Sequence, residues 1–543
     1  MADVNITKVY LLNTPLENDY KQTLYFASPS DQYSYFYGRR VSGCSFTDFS
    51  YQRKDSVIRV PVHYDTLVAA GVNYVMYQNT AYNHTFTYDG TDYLRWQYAF
   101  ITRMEYKDDG RTDLYIETDV MQTWMFDITV KPSFVEREHC DDDTVGLHTY
   151  PEQLETGEYV CNGHITDSNL NNTDDKPYMI VFGVTEYQDG TKAGGKRYNG
   201  IYSGVDYRAY TTGQYESVAA VLKSYDNNGK ADAVTCMFLA PYFLCGEWGG
   251  SDSDTVPASS DTQYYTKTIL TNTAMDGYGS DIKNNKLKCF PYNYLLVTNN
   301  AGGSAVYQYE HFYSEKTGEK LDPEFKVEGV LTPGCSIRLV PTHYKGAALN
   351  DDEGLNLGKF PICNWQSDVY TNWLTQNSVN IAVGAVGNIA TIGGGLALMA
   401  TGAGSFAGAS AVTSGVMGIA GQIGQVYQQS LQPPQVNGNL NCGDVITASE
   451  RNTFHFYNMS IKKEYAQIID NYFTMFGYKT CLVKTPNYNH REHFWYTKTI
   501  DVNIDGKVPN TDMQIIKNCY NTGITFWRND GTFGNYSVTN SIV

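Results

Sequence analysis

Residues 97–118 read QYAFITRMEYKDDGRTDLYIET, and this stretch decides the fold class. Two runs rich in aromatic and β-branched residues, Gln97 to Glu105 and Asp113 to Thr118, flank a polar turn at Lys107-Asp108-Asp109-Gly110. Strand-like runs joined by an Asp-Gly turn are typical of a β-hairpin. The sequence therefore predicts antiparallel β structure with local strand pairing in this part of the chain.

The same kind of pattern continues along the chain on both sides of this hairpin. A short helix is predicted within Asp119 to Phe126, followed by an extended run from Ile128 to Glu138. Further apolar runs alternate with Gly, Asn and Asp clusters, which is again typical of β structure; they are Tyr178 to Val184, Ala233 to Leu244, Cys289 to Thr298 and Ser336 to Val340.

Two amphipathic helices are predicted near the end of the chain. Lys462 to Phe476 has an apolar stripe at i, i+3, i+4 and i+7 spacing and stops at Gly477, which is typical of a helix that packs on a core. The stripe consists of Tyr465, Ile468, Ile469, Tyr472, Phe473 and Phe476. A second helix is predicted from Asn510 to Cys519. We expect a mainly β protein: tandem β-barrel or sandwich domains with a few covering helices and a long inserted hydrophobic loop.

Composition excludes several classes of protein. The chain has 543 residues, a net charge of −18 from 58 acids and 40 bases, and 46 tyrosines. A dedicated DNA- or RNA-gripping protein is disfavoured, because affinity for phosphates comes largely from clustered Lys and Arg. The 11 cysteines are an odd number without a C-x-x-C pair, which fits neither a disulfide framework nor a zinc ribbon. The first residues show no basic and apolar signal pattern, so no secretory signal is expected.

The most unusual feature is a charge-free segment between Asp368 and Asp444. Its 75 residues contain no Asp, Glu, Lys, Arg or His, where the overall charged fraction of 18% predicts about 13 charged residues. It divides into two 22-residue arms, Val379 to Ala400 and Ser405 to Val426. As a helix each arm would span about 33 Å, close to the hydrocarbon core of a bilayer. Small residues recur every three or four positions, which favours close helix packing in lipid.

Three interpretations of this segment remain open: a Gly-rich linker, a permanent membrane anchor, and a loop that is kept out of water in one state and released into a bilayer in another. The third is favoured, because Gly, Asn and Gln make the arms only weakly hydrophobic. The side chains expected to insert are Ile381, Val383, Val386, Ile389, Ile392, Leu396, Leu398, Met399, Phe406, Val412, Val416, Met417, Ile419 and Ile423. The aromatic rings expected at the membrane interface are Trp365, Tyr370, Trp373 and Tyr427.

Three stretches resemble a known family. They are Thr118-Asp119-Val120-Met121-Gln122-Thr123-Trp124, then Lys131-Pro132-Ser133-Phe134-Val135-Glu136-Arg137-Glu138-His139, and Pro291-Tyr292-Asn293-Tyr294-Leu295-Leu296-Val297-Thr298-Asn299-Asn300. Together with the charge-free segment and the helix at Lys462, they make the chain similar to the distal tail (tail knob) proteins of phi29-like short-tailed phages. The resemblance covers most of the chain.

The resemblance implies a structural role and a set of partners. It implies a hexameric tail-tube protein at the distal end of the virion tail, assembled in the host cytoplasm, whose hydrophobic loops plug the lumen and later form a channel in the host cell membrane. It implies as partners an upper tail or collar protein, a tail tip or cell-wall-hydrolysing protein, the host membrane, and viral DNA passing without sequence-specific binding. Six subunits at −18 would carry −108, which disfavours adhesion of DNA. The expected parts are residues 1–140 (N-terminal β tube domain), 141–368 (β-rich tube or knob domain), 369–443 (membrane-active loop) and 444–543 (C-terminal α+β part).

Other chemistries have weaker signals, and we expect no enzyme activity, metal or cofactor. The run Gly190 to Arg197 matches a P-loop until Arg197 replaces the required Ser or Thr. His490 to His493 lacks the helical H-E-x-x-H spacing, and Glu138 to Asp143 lacks EF-hand spacing, so a solvated acidic loop is favoured there. The alternative function is that of a receptor-binding or cell-wall-degrading tail tip protein, which glycan binding or peptidoglycan turnover would reveal.

Overall fold

The structure is a computed structural model. It describes residues 7–79, 85–170, 178–194, 263–300, 302–312, 322–333, 335–357 and 452–543, parts of 197–245, and short strands at 362–364 and 438–439. Contact clustering divides the chain into two compact units. Unit 1 comprises Met1–Glu155, Ile282–Lys286 and Gln467–Val543, and unit 2 comprises Thr156–Asp281 and Leu287–Ala466.

The strands up to residue 138 are β1 (Thr7–Leu12), β2 (Gln22–Leu24), β3 (Arg40–Phe49), β4 (Val57–Val60), β5 (Tyr74–Asn79), β6 (Thr85–Tyr88), β7 (Thr91–Leu94), β8 (Gln97–Asp108), β9 (Arg111–Thr118), β10 (Ile128–Val130) and β11 (Ser133–Glu138). Those of unit 2 are β12 (Tyr159–Thr166), β13 (Met179–Val184), β14 (Arg197–Tyr198), β15 (Ile201–Tyr202), β16 (Asp206–Thr211), β17 (Val234–Ala240), β18 (Gln263–Thr268), β19 (Asn293–Thr298), β20 (Ser304–Tyr307), β21 (Glu324–Gly329), β22 (Ile337–Tyr344), β23 (Ala347–Leu349), β24 (Leu355–Leu357), β25 (Ile362–Asn364), β26 (Gly438–Asn439) and β27 (His455–Ile461). The last strands are β28 (Tyr478–Lys484), β29 (Phe494–Ile500), β30 (Ile504–Gly506) and β31 (Ile524–Trp527).

The α-helices within the described residues are few and mostly short. They are α1 (Pro29–Gly38), α2 (Tyr64–Ala69), α3 (Val120–Thr123), α4 (Lys463–Phe476) and α5 (Asn510–Thr522). The prediction of a mainly β chain with a few helices is confirmed.

Unit 1 contains a six-stranded sheet in the order β3-β1-β5-β8-β9-β4 and a five-stranded sheet in the order β2-β31-β29-β11-β28. The predicted hairpin of residues 97–118 is the β8–β9 pair, which is antiparallel and begins with Ala99 opposite Thr118. Neighbouring residues point to opposite faces of a strand, so a strand buried throughout belongs to a sheet covered on both faces. In β5, Val75 and Tyr77 enter one core while Tyr74 and Met76 enter another.

Helix α1 covers one face of the six-stranded sheet. Ser28 caps its N-terminus by accepting a hydrogen bond from the Asp31 backbone N–H, and Pro29 occupies the first turn, where its missing N–H costs nothing. The Phe36 ring stacks at 5.5 Å on Tyr74 and lies 4.5 Å from the Tyr98 ring. The tyrosines that the composition assigned to β structure thus form an aromatic layer in the core.

Unit 2 holds three larger sheets within its described residues. Their orders are β12-β27-β19-β20, β16-β13-β17-β25-β26, and β18-β21-β22-β23 with β24 also paired to β22. Side chains from all three enter one large apolar core, including Phe238, Leu295, Phe325 and Phe456. A single core of this size makes unit 2 a cooperative body rather than a set of independent hairpins.

Several element predictions needed adjustment. The extended run Ile128 to Glu138 is two strands, because Lys131 and Pro132 separate β10 from β11 and Pro132 cannot donate to a ladder. Helix α5 is three residues longer than predicted and ends at Gly523, whose φ of 103° is open to glycine.

Helix α4 has the predicted bounds to within one residue, but its buried stripe is shifted. Ala466, Ile469, Asp470 and Phe473 are buried, whereas Ile468 is exposed. The i, i+3, i+4, i+7 rule is satisfied equally well by the stripe that includes Asp470. The sequence alone favours the more apolar alternative.

Candidate functional site

The predicted membrane-inserting and interfacial residues lie outside the described residues, so their prediction stays a prediction. These residues are Ile381, Val383, Val386, Ile389, Ile392, Leu396, Leu398, Met399, Phe406, Val412, Val416, Met417, Ile419 and Ile423, with Trp365, Tyr370, Trp373 and Tyr427. Among the described residues, no helix combines the length and apolarity that a membrane crossing requires. What the structure does describe is how the chain leaves the body before this segment and rejoins it afterwards.

The base of the charge-free segment is a pair of neighbouring antiparallel strands. Strand β25 leads into the segment and β26 belongs to its last residues, and they pair with Ile362 opposite Asn439 and Cys363 opposite Gly438. Paired strands lie about 4.8 Å apart. The 73 residues from 365 to 437 therefore leave and rejoin unit 2 at adjacent positions in one sheet.

A buried strand supports this base. Strand β17 pairs with β25 through Cys236 opposite Asn364 and Phe238 opposite Ile362. Cys236 and Phe238 are buried in the large core of unit 2. Because the exit strand hydrogen-bonds to a core strand, the start of the segment is anchored to the most stable part of the unit.

A second anchor holds the chain where it resumes after residue 451. Asp167 is fully buried; its backbone N–H donates to the Phe454 carbonyl at 3.0 Å, and its carbonyl accepts from the Thr453 hydroxyl at 3.2 Å. Its carboxylate accepts from the Tyr265 hydroxyl at 2.6 Å and lies 3.7 Å from the Lys267 ammonium. Burial, with the adjacent carboxylate, raises the pKa of Tyr265 far above its usual value, so this phenol stays a donor.

Two histidines flank this second anchor. His164 Nε2 lies 2.9 Å from His455 Nδ1, and the two rings stack with centroids 5.2 Å apart. The Asn300 amide nitrogen lies 3.1 Å from His455 Nε2, which assigns the His455 proton to Nδ1 and makes His164 Nε2 the acceptor. Burial, and secondarily the neighbouring imidazole, lowers the pKa of His455. This arrangement orders the start of β27 when both rings are neutral.

The structure gives no support to the phosphate or metal motifs. Gly190, with φ of 84°, lies in a tight turn closed by its N–H to the Tyr187 carbonyl at 3.0 Å and by the Tyr187 N–H to the Thr191 carbonyl at 2.7 Å. No group of three or more metal-ligating side chains occurs in the described part of the chain.

The acidic run from Glu138 to Asp143 is only partly the solvated loop that was expected. Asp141 and Asp142 are exposed, but Glu138, His139 and Cys140 are buried at the end of β11 and beyond it. Asp143 accepts a hydrogen bond from the Tyr478 hydroxyl at 2.6 Å. Sequence reasoning missed this burial because a charge run gives no indication of the elements that will cover it.

Sequence reasoning also missed both anchors of the charge-free segment. Asp167 stands in an ordinary polar stretch, and its partners are 98 and 286 residues away. The short strands β25 and β26 are too brief to produce a periodic pattern. A local signal exists only for the end of the segment, where the first charged residue returns at Asp444.

Comparison with known proteins gives a consistent family assignment. Residues 260–541 match the family described as the C-terminal domain of the Bacillus phage phi29 tail knob protein gp9. Residues 5–130 match the N-terminal part of caudoviral major tail proteins. The tail knob protein gp9 of Bacillus phage PZA is 27% identical over 611 aligned positions, covering 98% of each chain. That of phi29 is 26% identical with the same coverage.

A solved structure shows the same fold. The tail knob protein gp12 of bacteriophage C1 superposes with a TM-score of 0.65 at 14% identity, covering 99% of this chain and 100% of that one. The relatives are named as structural parts of a virion tail, which suggests a non-enzymatic role. Because the gp9 C-terminal family spans more than half of the sequence, this chain belongs to the family of tail knob proteins, structural components of the tails of phi29-like short-tailed phages.

Proposed function

We propose that this protein forms a hexameric tube at the distal end of the virion tail. Six charge-free segments close the lumen of this tube before infection and then form a channel in the host cell membrane through which the genome passes. The tube is assembled in the host cytoplasm and joins an upper tail or collar protein on one side. A tail tip or cell-wall-hydrolysing protein occupies the other side.

The placement of the segment's base carries this proposal. An excursion of 73 uncharged residues whose ends are adjacent in one sheet can change its own conformation without rearranging the body. Strand β17 and the Asp167 anchor hold the two flanks on the large core. These features support a segment that moves between two environments while the tube stays intact.

The charge of the chain supports passage of DNA rather than retention. A subunit at −18 gives a hexamer at −108, and like charges repel a polyanion at low ionic strength. The segment itself has no charge to hold phosphate. A conduit built from such subunits has weak affinity for its cargo.

The experiment compares membrane leakage with assembly in one doubly charged variant. Gly394→Asp with Met417→Glu places a carboxylate near the middle of each arm, which costs about 2.5 to 3.5 kcal/mol per charge at a bilayer centre. We expect dye release from liposomes to be lost while rings still form, as seen by electron microscopy.

The matched control places the same charges on the exposed surface of unit 2. Leu270→Asp with Val306→Glu alters two exposed side chains of the described body and should leak like wild type. Equal leakage by wild type and the Gly394→Asp, Met417→Glu variant would overturn the channel proposal. Release of soluble fragments from purified peptidoglycan would instead support a cell-wall-degrading protein.

A further inference from the structure

Three apolar side chains form an exposed row across the five-stranded sheet of unit 1. Phe134 in β11 stands directly opposite Val483 in β28 on one side and Ile500 in β29 on the other. Residues opposite each other in a ladder project from the same face. Val483 is 71% exposed, Ile500 54% and Phe134 37%. The row is therefore a continuous apolar strip three strands wide.

The strip reaches the outer edge of the sheet. Strand β28 is the last strand in the order, so its far side has no paired strand among the described residues. At its beginning the edge is closed, because the Glu152 carboxylate accepts from the Lys479 backbone N–H at 2.9 Å. At its end Leu482 is 59% exposed on the face opposite to Val483. A free, apolar strand edge is a surface prone to association.

The surroundings of the strip are polar and largely neutralised. The Lys498 ammonium lies 2.8 Å from the Glu136 carboxylate on the neighbouring positions, and the Lys131 ammonium lies 2.8 Å from Asp505. An apolar centre with a polar rim is the usual anatomy of a protein interface. Scattered single apolar residues need no explanation, but a contiguous row does.

Charge decides which partner suits this strip. A chain at −18 is repelled by nucleic acid and by anionic lipid, and the strip carries no excess Lys or Arg that would offset the repulsion. Two copies of the same acidic chain can associate only where their contact is neutral and apolar. The strip, with its internally paired rim, meets that condition.

We propose that Val483, Phe134 and Ile500, with the free edge of β28, form a surface on which a second copy of this chain packs. This inference rests on the proposed hexamer and names one of its contact surfaces. In a closed ring each subunit uses two different surfaces, so this strip meets another surface of the neighbouring copy.

The test uses full-length protein with a matched pair of variants. Val483→Glu puts a carboxylate in the strip, and Val68→Glu makes the same change at a valine of α2 that is 53% exposed and lies outside the strip. Both sites are solvent-exposed, so both variants should keep the wild-type circular dichroism and unfolding temperature. We expect light scattering to give wild-type mass for Val68→Glu and monomer mass for Val483→Glu.

A second measurement does not depend on loss of assembly. A photo-crosslinking amino acid at position 483 should yield covalent dimers and larger multimers of this chain, whereas the same probe at position 68 should not. If Val483→Glu assembles like wild type, the strip is not the contact surface, although the hexamer proposal stands. If wild type stays monomeric at all concentrations, the hexamer and this inference both fail. Crosslinks from position 483 only to a different virion protein would overturn the second-copy assignment.

Discussion

At the scale of single residues, the buried end of β11 gathers titratable groups with opposed pKa shifts. His139 Nδ1 accepts from the Tyr496 N–H at 2.6 Å, and its Nε2 lies 2.9 Å from the Thr474 carbonyl, so the ring is neutral with the proton on Nε2. Burial lowers the pKa of His139 to about 3 and that of His490 to about 4. Burial raises the pKa of Glu138 to about 7, despite the nearby Lys484 ammonium.

These shifts predict how the stability of unit 1 depends on pH. Between pH 6.5 and 4.5 the unfolded chain binds a proton at each histidine that the folded chain does not, while the folded chain binds one at Glu138. The three groups together make stability fall on acidification by at most about 1.4 kcal/mol per pH unit. Glu138→Gln removes the opposing proton, so its slope should be up to about twice as steep. Urea unfolding at several pH values measures both slopes.

The control for this prediction is Glu492→Gln, which alters an exposed carboxylate of the same unit. Its slope should equal that of wild type. A Glu138→Gln variant with the wild-type slope would show that Glu138 is ionised in the folded protein throughout this range.

A glycine at the end of α4 gives a second prediction at this scale. Gly477 has φ of 65°, and an added Cβ would overlap the Glu138 backbone carbonyl. Gly90 has φ of 73° but open space around it. Gly90→Ala should cost about 1 to 2 kcal/mol for the left-handed backbone, and Gly477→Ala about 1 to 3 kcal/mol more for the overlap. Chemical denaturation compares them, and equal losses would mean that β11 yields without cost.

At the scale of elements, the β25–β26 pair predicts that the charge-free segment can be replaced by a tight turn. Cys363 stands opposite Gly438, so joining Asn364 to Asn437 through Asn-Gly makes a two-residue hairpin in the same register. Removing residues 365–436 in this way also shortens the loop whose closure costs entropy. The thermal unfolding midpoint should be no lower than that of wild type, while liposome leakage should be lost.

A register control accompanies this replacement. Removing residue 437 as well brings Asn364 opposite Gly438, a one-residue slip that reverses the faces of the strand. This variant should unfold at a lower temperature than the in-register hairpin. Identical midpoints would show that β26 contributes nothing to the stability of unit 2.

At the scale of the whole molecule, the acidic charge predicts that assembled protein does not retain duplex DNA. A net charge of −18 per chain repels phosphate over a distance set by the ionic strength. Filter binding at about 50 mM salt, where repulsion is weakly screened, should capture no labelled DNA. Capture that weakens as salt rises would contradict this prediction, because it would show a cationic path for DNA along the assembled protein.

Local patterns in the sequence determined the elements and the class of fold. The Asp-Gly turn before Arg111 set the β8–β9 hairpin, and Gly477 and Gly523 set the ends of α4 and α5, because turn geometry and helix termination depend on neighbouring residues. The charge-free segment was also visible in sequence alone, because the absence of charge over 75 residues is a property of composition.

Only the tertiary structure decided what covers each element and where the segment is anchored. Asp167 meets Thr453 across 286 residues, and Phe134 acquires Val483 and Ile500 as neighbours from strands more than 340 residues away. The inward turn of Asp470 depended likewise on Asn284, whose amide and backbone N–H donate to it. Such pairings follow from the closure of sheets and cores over long chain distances, and no local pattern specifies which distant residue will arrive.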